Sequence, residues 1–319
     1  MIGIPPTKLF PSSNWLKRFL AWLILLAFLV IVQYWLGWQT LLAPWQSLNW
    51  QQLLLAFALV FGSYLLRTWR IYTYFIETRQ QYLVVLRLTL LHNLFNNLLP
   101  ARSGEISFPM LMHRYFGLAY LHATSALLWF RFLDLHCIIA LAIYPLLTIT
   151  ALKFKYLAVP LILLWMLLPL LIYGLRKVFL RSVADKTGKF SEIIQKMLNG
   201  LPKDRLTFWK SWGLTWLNWL FKLSTFAWVL SQFMSVPTWN ALLAAVIGGE
   251  LTSVLPLHAP AGLGTYEAGI VAALAPVAPL DEATRAAINL HIFVLGSAIL
   301  GGIIAWLLPT PQSARQISD

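Results

Sequence analysis

Long apolar runs dominate the chain, and polar residues punctuate them. Continuous runs lie near 19–36, 51–66, 120–150, 156–175, 211–231 and 284–308. A bilayer crossing needs about 20 apolar residues in a helix, so each run predicts a span. Two further stretches, 83–117 and 240–280, are apolar but interrupted by Pro, Gly and charge. Pro stops a helix and Gly permits the dihedrals of a reversal, so these two predict broken hairpins. The eight elements fall into two quartets, each reading span, span, hairpin, span.

Composition agrees with the pattern. The chain has 319 residues, 59% of them hydrophobic and 11% charged, against about 25% charged in a soluble domain. So high an apolar content excludes a disordered chain, and a single cysteine, Cys137, excludes a disulfide scaffold. The formal net charge of +13 is unevenly spread. Basic residues gather at Lys8, Lys17 and Arg18, at Arg67, Arg70, Arg79 and Arg87, between Arg176 and Lys210, and at Arg315, while the connectors 37–50 and 232–239 have none. Cytoplasmic flanks retain Lys and Arg, which places both termini in the cytoplasm and the chain in the inner membrane. Topology accounts for the basic balance without nucleic acid. The first run lacks a small-residue cleavage site and is expected to stay as a span rather than leave as a signal peptide.

This orientation requires both hairpins to return to the face they entered from. The expected fold is therefore an all-α polytopic membrane protein, with about six full spans and two re-entrant helical hairpins in an inverted repeat. One transmembrane domain, 1–319, would hold a first half at 19–150 and a second at 156–308. The basic connector 176–210 would be cytoplasmic, either as an amphipathic helix near 185–200 on the inner leaflet or as a solvated segment.

The hairpins share a grammar. The first runs Asn96, Pro100, Arg102, Gly104, Glu105, and the second Pro256, His258, Pro260, Gly262, Gly264, Glu267. In each, an apolar half-helix ends at Pro, a Gly-containing break follows, and Glu opens a second half-helix. Freed backbone groups cannot face lipid, so the two breaks should meet inside the bundle around a polar cavity. Helix amino termini there suit an anionic group, although Glu105 and Glu267 have a simpler alternative role as caps.

These residues resemble a known family. Asn96-x-x-x-Pro100-x-Arg102-x-Gly104-Glu105 and Pro260-x-Gly262-Leu263-Gly264-x-x-Glu267 are similar to motifs of the transmembrane region of lysylphosphatidylglycerol synthases and their stand-alone flippase-like relatives. The resemblance runs from about Leu53 to Leu308. It implies a lipid translocator, which in the long forms moves aminoacylated phosphatidylglycerol between leaflets. Without the soluble aminoacyl-transferase domain, it does not imply synthesis of that lipid. Three local departures stand out. Ala261 replaces the first Gly of a common Pro-Gly-Gly, Phe130-Arg131 stands for a Glu-Arg pair before Asp134, and His291 occupies a position that often holds Arg.

Other polar residues at membrane depth need a reason, since each charge there costs roughly 2.5–3.5 kcal/mol. Arg131 and Asp134, three apart on a helix, can neutralise each other or act as a gate. Lys222 shares a polar stripe with Asn218 and Thr225 and can pair with Glu250 or Glu267, or hold a phosphate. Arg102, at the first hairpin tip, has the planar fork that suits phosphate. His258 and His291 are the histidines expected nearest the cavity. The substrate-binding set is then Asn96, Arg102, Glu105, Lys222, His258 and Glu267, with Arg131, Asp134 and Glu250 as the gating group. Trp209, Trp212, Trp216 and Trp219 form a helical stripe expected to pack or meet lipid. No metal-ligand spacing joins His92, His113, His122 and His136, and no phosphate-binding loop is present, so neither metal nor cofactor is expected. The expected activity is translocation of an anionic, aminoacylated or polyprenyl-phosphate-linked lipid. The alternatives are a membrane enzyme, such as a polyprenyl-phosphate-dependent glycosyltransferase, and a non-transporting envelope scaffold. A homo-oligomer or an envelope-synthesis enzyme is the expected protein partner.

Overall fold

A computed structural model describes residues 26, 30, 32–35, 37–149, 155–184, 195, 198, 200–234, 238–254 and 260–311. Among them every regular element is helical. Helix α1 covers Trp38–Ser47 and α2 covers Trp50–Tyr74. Helix α3, Tyr82–Leu98, runs into a 3-10 break at Pro100–Ile106, and α4 resumes at Ser107–Phe116. Helix α5 spans Tyr120–Ile149, α6 Lys155–Met166 and α7 Leu168–Ala184. Helix α8 spans Arg205–Leu230, α9 Trp239–Val254, α10 Thr265–Leu274 and α11 Leu280–Leu307, with a second short 3-10 break at Pro260–Gly262 between α9 and α10.

Among the described residues three stretches are long and apolar enough to cross a membrane: Trp50–Tyr74, Tyr120–Ile143 and Leu280–Leu307. The run 156–175 becomes two helices that part at Leu167, with Pro160 inside the first. The connector 37–50, read from sequence as an outer loop, contains α1. Its Trp45 donates its indole N–H to Asn289 of α11 at 2.6 Å, and Asn289 donates back to the Leu41 carbonyl at 2.9 Å. Most of the first apolar run and most of 185–200, where an amphipathic helix was expected, lie outside the described residues.

Local chemistry sets the helix ends. Asn49 accepts the Gln51 N–H at 2.9 Å and Asp204 accepts the Thr207 N–H at 2.8 Å, satisfying donors at the starts of α2 and α8. Helix α3 stops one residue before Leu99-Pro100, because the ring of Pro disfavours helical dihedrals at the residue before it. Gly104 is buried against the last turn of α3. A Cβ there would run into the Phe95 carbonyl and the Asn96 backbone, so the break folds back only with Gly. Between α9 and α10 the backbones touch at Gly248 and Gly269, each occupying the space a Cβ on the other would need.

Helix pairing has an internal correspondence. If α2, α3, α4 and α5 are exchanged with α8, α9, α10 and α11, the packing pattern largely maps onto itself. Helices α2 and α8 pack together, as do the two breaks. The pair α3–α11 matches α9–α5, α3–α4 matches α9–α10, α4–α5 matches α10–α11, and α2–α3 matches α8–α9. The main core of buried apolar residues lies between these helices, and a second aromatic-rich cluster sits around Phe108, Phe130 and Phe208.

Candidate functional site

At the centre of this arrangement lies a cavity of about 380 Å³. The second break reaches it through Ala261 and Gly262, followed by Thr265 at the start of α10, and the first hairpin reaches it through Asn93, Asn96 and Asn97 at the end of α3, just ahead of its break. Ala261 takes a left-handed φ of 58°, and Gly262 and Gly264 follow at 75° and 82°. The chain therefore reverses over a few residues before α10 begins. Glu267 sits on the first turn of α10 and accepts the Gly264 N–H at 2.8 Å, while its other oxygen lies 2.7 Å from His291 Nδ1. The Tyr266 ring lies beside His291 with centroids 4.6 Å apart. Glu267 thus caps a helix and also ties α10 to α11.

The first hairpin is held differently. Glu105 lies within the 3-10 break rather than opening a second half-helix, since α4 starts only at Ser107. It forms a two-pronged pair with Arg131 of α5, at 2.7 Å from Nη2 and 3.1 Å from Nε. His92 of α3 stands behind them, its Nε2 3.4 Å from Arg131 and its Nδ1 2.9 Å from the Ser107 hydroxyl. That hydroxyl donates to the Gly104 carbonyl at 2.6 Å, so the break is tied back to α3. The contact of Glu105 with α5 and that of Glu267 with α11 occupy corresponding places in the two quartets.

Arg131 and Asp134 do pair, as their spacing allows, but each has a closer partner on another element. Arg131 reaches Asp134 only at 3.4 Å, whereas Arg70 of α2 lies at 2.7 Å and also donates to the Thr215 hydroxyl at 2.7 Å. Trp219 donates its indole N–H to the same carboxylate at 3.0 Å. Three residues along one helix is an ordinary separation for an ion pair, but tertiary packing offers both partners closer ligands. Trp219 packs in the core, as the stripe predicts, and its indole N–H also serves the polar cluster. Lys222 pairs with Glu250 of α9 at 2.7 Å and lies over the Trp219 and Phe226 rings, at 4.8 and 5.1 Å from their centroids. Asn218, from the same stripe, accepts a hydrogen bond from Ser63 of α2 at 2.8 Å.

The cavity wall thus combines Asn96, Arg131, Asp134, Lys222 and Glu250 with Gly262, while Glu105 and Glu267 grip its lining residues from behind. Pro100 and Arg102 belong to the first break, whose backbone meets the second break; the side chain of Arg102 lies outside the described residues, as do Pro256 and His258. Gly104 shapes the first tip, and Pro260 opens the second.

Sequence reasoning missed Arg67 and Arg70 by assigning them to a cytoplasmic flank. Helix α2 continues to Tyr74, so both stay within the bundle: Arg70 is only 4% exposed, and Arg67 lines the cavity. A signal was available, because Ser63, Arg67 and Arg70 recur at steps of four and three, the spacing of one helix face. Thr215, Asn218 and Lys222 do the same on α8, and these two faces meet.

No curated protein and no solved structure matches the chain. The sequence profile of the lysylphosphatidylglycerol synthase TM region matches residues 19–302, a stretch that includes both hairpins, the cavity wall and every ion pair described above. The chain belongs to the lysylphosphatidylglycerol synthase TM region family.

Proposed function

We propose that this protein translocates a phospholipid between leaflets, with the headgroup passing through the central cavity while the acyl chains stay in bilayer. The observation that carries this reading is a charged cavity lined by the end of α3, just ahead of the first break, and by the second break, in a chain whose long helices suit a membrane. Irregular backbone at membrane depth is tolerated where it borders protein or a wet cavity, and such breaks mark substrate sites in transporters built from repeats. In this reading the hairpins are re-entrant, six helices span the inner membrane, and the corresponding packing of the two quartets reflects an inverted repeat. The ion pairs of Glu105 with Arg131 and of Lys222 with Glu250 join hairpin helices to span helices, and exchanging them opens one face as the other closes.

The engaged carboxylates support transport over catalysis. Glu105, Asp134, Glu250 and Glu267 each sit within 2.7 Å of a cation or histidine, whereas a general base must be free to take a proton from its substrate. The test is reconstitution into liposomes holding trace fluorescent phosphatidylglycerol, followed by dithionite quenching from outside. Protein-dependent loss of the protected inner-leaflet signal is expected, and Glu105→Gln should slow it. Quenching no greater than in empty liposomes overturns the reading, and a new covalent lipid product moves the protein to the enzymes.

A further inference from the structure

The cations and carboxylates around the cavity are equal in number but unevenly paired. Arg131 is held by Glu105 and Asp134, Arg70 by Asp134, and Lys222 by Glu250. Glu267 is taken by His291 and by the amino end of α10. Arg67 is left over. Among the described residues it has no carboxylate within 4 Å, its one hydrogen bond goes to the neutral Asn93 Oδ1 at 3.2 Å, and its Nε is buried without a partner. A guanidinium held at membrane depth by a single amide retains most of its desolvation penalty until an anion joins it. The same end of the cavity carries Asn93, Asn96 and Asn97, and Asn96 Oδ1 also lacks a donor. These amides suit neutral hydroxyl groups.

Resting on the reading of this cavity as a headgroup site, we infer that Arg67 is the centre of a subsite for one phosphodiester anion with a small hydroxyl-bearing headgroup, and that the cavity discriminates against a headgroup carrying a cationic aminoacyl group. A lysyl substituent brings ammonium groups that need carboxylates, and the carboxylates here are already engaged. The planar fork of Arg67 matches phosphate oxygens. A space of about 380 Å³ lies at the small end of ligand pockets, roughly 300–1,000 Å³, and has no room for an oligosaccharide. This departs from what the family's name would suggest for the cargo.

The test uses the full chain in a non-ionic detergent, with thermal melting followed by tryptophan fluorescence. Dioctanoyl phosphatidylglycerol, dioctanoyl lysylphosphatidylglycerol, dioctanoyl phosphatidylcholine, glycerol 3-phosphate and inorganic phosphate are titrated separately. Phosphatidylglycerol should raise the melting temperature saturably, and the lysyl and choline lipids should bind about tenfold more weakly or worse, the scale of one charge-assisted contact. Arg67→Gln should weaken phosphatidylglycerol by a similar factor, Arg67→Lys by less, and Arg285→Gln, an exposed i,i+4 partner of Asp281, not at all. The lipid series on the unmodified protein decides the matter even if an Arg67 variant does not fold. Equal or tighter binding of the lysyl lipid overturns the inference, as does unchanged phosphatidylglycerol affinity in a folded Arg67→Gln. Inorganic phosphate binding as tightly as the lipid overturns its assignment to a lipid headgroup. Because this readout needs no translocation, Arg67-dependent binding without transport sinks the transport reading alone, whereas transport indifferent to Arg67 sinks this inference alone.

Discussion

Neutralising Asp134 is the sharpest perturbation the polar cluster offers. Asp134→Asn keeps size and shape but removes the charge on which two arginines converge. Arg131 retains Glu105 at 2.7 Å, so its loss is small. Arg70, 4% exposed, keeps the Thr215 hydroxyl and the face of the Phe130 ring but no carboxylate within the ion-pair distance. Trp219 keeps an acceptor if the new amide presents its oxygen. The net result is one buried cation stripped of its counter-ion, a change that costs about 3–5 kcal/mol. The reverse logic gives a control. In Arg70→Gln with Asp134→Asn both charges of the closest pair are gone, so the double variant should recover a large part of that loss, with a coupling energy well above the roughly 0.5 kcal/mol seen between independent sites. Glu105→Gln should sit between wild type and Asp134→Asn, since Arg131 still reaches Asp134. The assay is unfolding in mixed micelles by increasing SDS, followed by tryptophan emission, which samples Trp219 beside the carboxylate. An Asp134→Asn protein within about 1 kcal/mol of wild type, or a double variant no more stable than the single, refutes the idea that Arg70 depends on Asp134.

Three further outcomes follow from backbone and caps. Gly248→Ala places a methyl into the Gly269 backbone, which cannot rotate away, and should cost about 1–3 kcal/mol as overpacking does, whereas Gly213→Ala on the exposed face of α8, with nothing within 4 Å, should be neutral or mildly stabilising in the same SDS titration. Ala261 holds a left-handed φ of 58°, a conformation that costs a residue with a Cβ about 1–2 kcal/mol; Ala261→Gly should therefore raise stability by up to about 1 kcal/mol after the added freedom of the unfolded chain is subtracted, and a loss would contradict the strained geometry. Asp204 is held below the usual carboxylate range mainly by the Thr207 N–H it accepts, so its contribution is present above the unfolded-state value and fades as pH falls through the lowered one; Asp204→Ala should destabilise by about 0.5–2 kcal/mol at neutral pH, with the gap from wild type closing in acid.

Much of the fold was legible because membranes simplify the code. Apolar runs and their interruptions locate helices when every backbone group must be satisfied within the bundle, and Pro100, Gly104, Pro260 and Gly264 mark the two hairpin breaks. Partner choice was not legible. Sequence spacing paired Arg131 with Asp134, yet the nearest ligand of each lies on another element, Glu105 in the first break and Arg70 on α2. The roles of Arg67 and Arg70 were hidden for a related reason: the end of an apolar run does not mark the end of a helix, which continues through charged residues when its neighbours provide partners. Arg87 shows the same, donating to the Ala305 and Leu308 carbonyls at the end of α11 instead of standing in a loop. The connector 37–50 looked loop-like for want of charge, yet Trp45 and Leu41 bind it to Asn289.

The two hairpins carry unequal latches at corresponding places, and that asymmetry bears on how a headgroup would move. Glu105 is gripped in two-pronged fashion by an arginine that stays charged at any physiological pH. Glu267 meets a histidine and also caps α10, so part of its charge is met by backbone dipoles. Opening the first hairpin must therefore separate a full ion pair, which is feasible only if something takes over its partners. A phosphodiester arriving beside Arg67 supplies an anion on the wall that Arg131 and Asp134 share. It can compete with Glu105 for Arg131. The second hairpin needs no such exchange. In the proposed reading the headgroup would help to release the first tip, which would tie movement of the first hairpin to occupancy of the cavity.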